Sequence, residues 1–201
     1  MNRLPALERT VFIALVIVLA VSGCATSPGP VYYTLPVTGL EAADSVTDIA
    51  AEIGPFDLPE YLDRPQIVTA APDATLRLDE FHRWLEPLDE IFVRTLATNV
   101  GRQLGSARIF ARTTHTRFDA PARVRGSVLR FETDSDGRAV LDVQWAIVDR
   151  DGNITRPGAR SSYAADIGDA ANMTARVRAL GVVLEKFSAD IADELRARAH
   201  P

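Results

Sequence analysis

Two Asp-Gly pairs limit the possible folds of this chain more than any other feature. Asp136-Gly137 and Asp151-Gly152 separate long runs in which apolar and polar residues alternate. Glycine accepts the positive φ of a tight hairpin turn, and aspartate before it suits the same turn. In the middle run Leu141, Val143, Trp145 and Ile147 alternate with Asp142, Gln144, Ala146 and Val148. Side chains alternate across a strand, so one face of this run is apolar. The pattern predicts strands over 122–133, 138–149 and about 153–165, joined as an antiparallel meander. A sheet with one apolar face must cover it with another layer.

Two stretches change to a helical period. In 86–104, Leu88, Ile91, Phe92, Leu96, Val100 and Leu104 form a stripe. Pro87 suits its first turn and Gly105 its end. A longer helix is expected from Ala170, because Met173, Val177, Leu180, Leu184, Phe187, Ile191 and Leu195 recur at steps of three and four. Three heptads are a weak coiled-coil signal, so this helix is read as lying on the sheet. Shorter extended segments are expected at Val31–Leu35, Ile49–Phe56, Gln66–Ala70, Leu76–Trp84 and Ala107–Ala111. Gly54-Pro55 should bend or end the second of these. The expected fold class is α+β: an antiparallel or mixed sheet of about seven strands, with two amphipathic helices packed on one face.

The N-terminus reads as an address. Arg3 and Arg9 precede an uncharged apolar run over 10–22, the layout of a secretory signal and too short for a comfortable membrane span. The run ends in Val21-Ser22-Gly23-Cys24, which resembles a bacterial lipobox. That resemblance implies cleavage before Cys24 and acylation of its thiol and new amino group. Each buried methylene is worth ~0.8 kcal/mol, so two or three acyl chains hold a protein on a membrane almost permanently. In the lipoprotein sorting rule aspartate after the cysteine favours inner-membrane retention, so Ala25 points to the outer membrane, facing the periplasm. The expected division is a signal peptide at 1–23, a lipidated tether at 24–30 and a single domain at 31–201.

Composition narrows the chemistry. The 201 residues carry a net charge of −5, which disfavours wholesale binding to nucleic acid. One cysteine excludes an internal disulfide framework and any multi-cysteine zinc site. His82, His115 and His200 are far apart in sequence, and neither a phosphate-binding loop nor a Gly-x-Ser-x-Gly elbow occurs. The acid pairs Asp134/Asp136, Asp149/Asp151 and Asp89/Glu90 are explained by two turns and a helix start. No catalytic residue, metal ligand or cofactor is therefore expected.

Two clusters stand out instead: Leu58-Pro59-Glu60-Tyr61-Leu62-Asp63-Arg64-Pro65-Gln66-Ile67-Val68-Thr69 and Phe81-His82-Arg83-Trp84-Leu85-Glu86-Pro87-Leu88. Tyrosine, tryptophan and arginine are over-represented where proteins bind one another. Tyr61, Arg64, Gln66, Arg83, Trp84 and Glu86 are the candidate partner-binding residues. The plainer reading is that the aromatics plug the core, with Asp63–Arg64 or Arg83–Glu86 as surface ion pairs worth ~0–1 kcal/mol.

With the lipobox and Tyr32-Tyr33-Thr34-Leu35, these clusters resemble the auxiliary lipoproteins of MCE-type lipid transport systems, closest to the paraquat-inducible protein C family of ABC-type transport auxiliary components. The likeness covers nearly the whole mature chain. Ala70 departs from it, since a basic residue is expected after the threonine. The resemblance implies a protein anchored to the inner leaflet of the outer membrane. It implies assembly as a homo-oligomeric ring that receives the tip of a periplasmic MCE tunnel, and it implies no nucleotide binding. The expected function is thus an auxiliary docking component of an MCE/ABC-type intermembrane lipid transport system. A periplasmic lipid-binding carrier is the alternative. Exposed apolar positions on the meander or terminal helix are expected to supply lateral interfaces.

Overall fold

The computed structural model describes residues 29–38, 47–113 and 118–199. The signal peptide, Cys24, most of the tether, His115 and His200 lie outside the described residues. In chain order the elements are β1 (Val31–Tyr33), β2 (Ala51–Asp57), a single 3-10 turn (Glu60–Leu62), β3 (Gln66–Ala70), β4 (Leu76–Trp84), α1 (Leu88–Leu104), β5 (Ile109–Ala111), β6 (Ala122–Thr133), β7 (Arg138–Asp149), β8 (Ile154–Asp166) and α2 (Met173–Ala199).

The meander forms as its alternation requires. β6 pairs antiparallel with β7, and β7 with β8. Gly137 (φ 81°) and Gly152 (φ 89°) take the positive φ of the turns. Asp134 and Asp149 close those turns by accepting the N–H groups of Arg138 and Asn153, each at 2.8 Å. These carboxylates serve turns, as expected from sequence.

The far edge of β6 is shared. β2 runs parallel to its first half, and β3 meets it at Thr69–Thr133 near its end. β5 lies outside β2; β4 lies outside β3 and β1 outside β4. The result is one mixed sheet of eight strands, one more than the approximate count expected. β2 runs on through Gly54-Pro55, a cis peptide, to Asp57, and its ladder to β6 shifts there.

Both helices cover the same face. Phe92 of α1 packs edge-on to Phe131 of β6, with ring centroids 5.3 Å apart. Phe187 of α2 meets Trp145 of β7 at 5.5 Å and Phe56 of β2 at 5.8 Å. Leu141, Val143, Trp145 and Ile147 are all buried, as the alternation demands. Pro87 sits just outside α1, at its N-cap, and Gly105 ends the helix in the left-handed conformation (φ 62°). α2 starts at Met173 rather than Ala170, because the Asn172 side-chain oxygen accepts the N–H groups of Thr174 and Ala175.

The segment after β1 crosses α2. Leu35 is buried, Thr38 donates to Glu185 at 2.7 Å, and Pro36 lies against Gly181. A Cβ added to Gly181 would stand 2.7 Å from the Pro36 ring, so only glycine admits this crossing without displacement. The chain leading from the tether is thus fastened to both a sheet edge and a helix.

Candidate functional site: the β1–β4 edge

The two clusters singled out in the sequence come together at one edge of the sheet. The 3-10 turn Glu60–Leu62 reverses the chain into β3, with Leu62 N–H bonded to Pro59 O at 2.9 Å. Gln66 then pairs with Arg83, and Trp84 N–H donates to Pro65 O at 2.7 Å. β1 completes the edge through Tyr32–Arg83 and Tyr33–Trp84. Leu85 N–H donates to Tyr33 O at 2.8 Å.

The six candidate residues have different environments. Tyr61 turns inward and donates to Glu132 Oε2 at 2.8 Å, while Arg130 holds the other carboxylate oxygen at 3.1 Å. Burial pushes the Tyr61 phenol well above its ordinary pKa, and the bond and charge of Glu132 add to it. The Nε of Arg64 is buried without a hydrogen-bond partner. Gln66 donates to Glu80 at 3.4 Å, and Arg83 donates to the Glu80 backbone oxygen at 3.0 Å. Glu86 pairs with Arg94 at 2.8 Å.

Trp84 is 5% exposed and packs within the hydrophobic core. Its indole fills the protein's own interior, which leaves little of it for a partner. The expected Arg83–Glu86 pair gives way to Arg83–Glu80 and Glu86–Arg94. β4 ends at Trp84 and the chain bends at 85–86, while Glu80 lies inside the bulge between Asp79 and Arg83.

That bend was not visible in the sequence. Asp79 Oδ1 accepts the N–H groups of Phe81 and His82, both at 3.0 Å, and the ladder jumps from Gln66–Arg83 to Ile67–Asp79. His82 Nδ1 lies 2.8 Å from the Tyr33 hydroxyl, which fixes its ring at the β1–β4 seam. The bulge also determines which residues are exposed: Tyr32, Phe81 and Leu85 point to solvent. Their signal in the sequence was an aromatic or leucine on the polar side of the alternation. Exposed apolar side chains were expected on the meander or terminal helix. In the structure the meander exposes Ile154, and among the described residues α2 exposes no large apolar side chain.

An open groove of about 390 Å³ lies elsewhere, lined by Pro55, Asp57, Ser127, Gln144 and Gly158 among others. Among the described residues no group of three or more His, Cys, Asp or Glu is placed to hold a metal ion, and no helix is long and apolar enough to cross a membrane.

The mixed sheet and its two helices define an α+β domain with an open sheet. The match to known families goes further: the model described as "ABC-type transport auxiliary lipoprotein component" covers residues 33–192. The chain belongs to that family, and as one of its lipoproteins it is a transport auxiliary component anchored to a membrane on the periplasmic side. No curated protein matches it. Its fold is similar to a crystal structure of an uncharacterized protein, with TM-score 0.68 and 20% identity over 84% of this chain and 99% of the other. It is also similar to protein XCC0632 from Xanthomonas campestris, with TM-score 0.64 and 13% identity over 80% and 92%.

Proposed function

We propose that this protein is a non-catalytic docking component of an MCE/ABC-type intermembrane lipid transport system, held on the periplasmic face of the outer membrane by acyl chains on Cys24. It assembles as a ring and receives an MCE-domain protein. The observation that carries the reading is the joining of the two clusters, through Pro65–Trp84 and Gln66–Arg83, into one edge beside the strand that leads back to Cys24. Acyl anchoring confines copies to a plane, which raises their effective concentration and favours weak lateral contacts. Arg64, Gln66, Arg83 and Glu86 are the polar groups of the edge that a partner can reach, with Trp84 as their buried support.

The test is capture of an MCE-domain protein from membrane extracts by the mature lipoprotein, with assembly size read by native mass spectrometry. Arg64→Glu and Glu86→Arg are expected to weaken capture, assembly or both. If both remain at wild-type level, the edge is not the docking surface. The carrier alternative requires a pocket that encloses most of an acyl chain. The 390 Å³ groove is large enough but open along the sheet. A stoichiometric phospholipid extracted from the purified protein would favour the carrier.

A further inference from the structure

Nine large apolar side chains are exposed among the described residues, and six of them belong to β1, β4 or the residue just after β4: Val31, Tyr32, Leu76, Leu78, Phe81 and Leu85. They share more than an edge. Paired residues point to the same side of a sheet. The register therefore puts Leu76 with Ala70, Leu78 with Val68, and Tyr32 with Arg83 on one face, the face opposite the helices. Without the bulge at Asp79, Leu76 and Leu78 would share the side of Trp84. The bulge flips them outward, and Tyr32 and Leu85 are each more than half exposed. Large apolar side chains on the polar side of a sheet, concentrated on its last two strands, are a surface awaiting cover.

The chain itself indicates what covers it. β1 begins at Val31, seven residues after Cys24, and seven extended residues reach at most about 25 Å. Val31, one member of the patch, therefore lies within about 25 Å of the acylated residue. We infer that this patch rests on the lipid bilayer, with Tyr32, Phe81 and Leu85 at the headgroup–acyl boundary and the Arg83 guanidinium among the headgroups. Aromatic and aliphatic side chains beside an arginine match that boundary, where amphipathic groups keep one end wet. Glu80 pairs with Arg83 at 3.4 Å and offsets its charge. The contact is therefore driven by apolar burial, not by anionic lipid. The inference rests on the acyl anchor in the proposed function and adds an orientation to it: the apolar face of β1 and β4 turns to the membrane, and Arg64 and Glu86 are left to the partner.

The acylated full-length protein tests this. The Cys24 thiol is consumed as a thioether, so a maleimide dye reacts only with an introduced cysteine. Leu85→Cys and Tyr32→Cys report the patch. Asp151→Cys, in the turn between β7 and β8 across the sheet from β1 and β4, is the reference. In phosphatidylcholine vesicles, dye at 85 and 32 is expected to shift its emission to the blue and lose iodide quenching, while dye at 151 stays fully quenchable. Added phosphatidylglycerol or salt should leave the difference unchanged. Equal quenching at 85, 32 and 151 on vesicle-bound protein overturns the inference and leaves the anchor standing. Shielding at 85 that persists in the Cys24→Ser protein without vesicles assigns the patch to a second copy and also overturns it. Failure of the wild-type protein to float with vesicles overturns both the inference and the anchor.

Discussion

Glu52 is the most demanding residue in the core, with 1% of its surface exposed. Its carboxylate accepts from Arg123 at 2.5 Å, Arg112 at 3.2 Å and the Phe118 N–H at 3.1 Å. Burial pushes its pKa up, but the Phe118 N–H and the two guanidiniums together hold it below the ordinary value. A depressed carboxyl contributes stability above its unfolded pKa and loses it as pH falls through the folded value. Glu52→Gln is therefore expected to destabilise the protein by about 3 kcal/mol at neutral pH. The gap to wild type in urea denaturation should close as pH falls into the carboxylate range. Asn99 presents the opposite case. Both polar atoms of its amide are buried in α1 without a partner. An unmade buried hydrogen bond costs about 1–3 kcal/mol, and an apolar group of similar shape removes that penalty. Asn99→Leu is expected to raise stability by about 1 kcal/mol and the melting temperature with it.

The crossing of Pro36 over Gly181 governs how β1 is held. A larger residue at 181 gains some helix propensity, at most about 1 kcal/mol over glycine, but drives a methyl into a proline ring. Overpacking typically costs 1–3 kcal/mol, and valine gains less helix propensity than alanine. Gly181→Val should lose about 2 kcal/mol in denaturant titration and should open the chain near Pro36 to limited proteolysis. How far the elements could be read from the sequence follows from how local their causes are. β6 and β7 have the bounds that their alternation and Asp-Gly turns required, because those signals lie within a few residues of the effect. The start of α2 was readable from Asn172 as a cap, a stronger signal than the alanines before it. The bulge in β4 was not readable. It depends on one aspartate accepting the N–H groups two and three residues on, which leaves no period to detect. The six docking candidates came from composition alone. Their joining depends on the β3–β4 and β1–β4 ladders, and the burial of Trp84 depends on the far side of the core.

At the scale of the molecule, everything beyond the fold depends on attachment. Cys24→Ser is expected to move the protein from the membrane fraction to the soluble periplasm, with transport function falling as the docked population disperses. Fractionation with immunoblotting measures the first and a membrane-integrity assay the second. Retention in the membrane with full activity would leave the anchor without a role. The sheet itself is indifferent to that change, since among the described residues the core is built from Tyr33 onward, nine residues past Cys24. β1 is where mechanics enters. It lies parallel to the last turn of β4 through three rungs, Val31–His82, Tyr32–Arg83 and Tyr33–Trp84, and Leu35 sits in the core just behind them. Tension drawn along a leash from the lipid loads those rungs together in shear. Leu35 acts as a toggle that cannot back out, so jostling of the bilayer reaches the rest of the domain as a tug on a fastened edge and not as an unzipping of its strands.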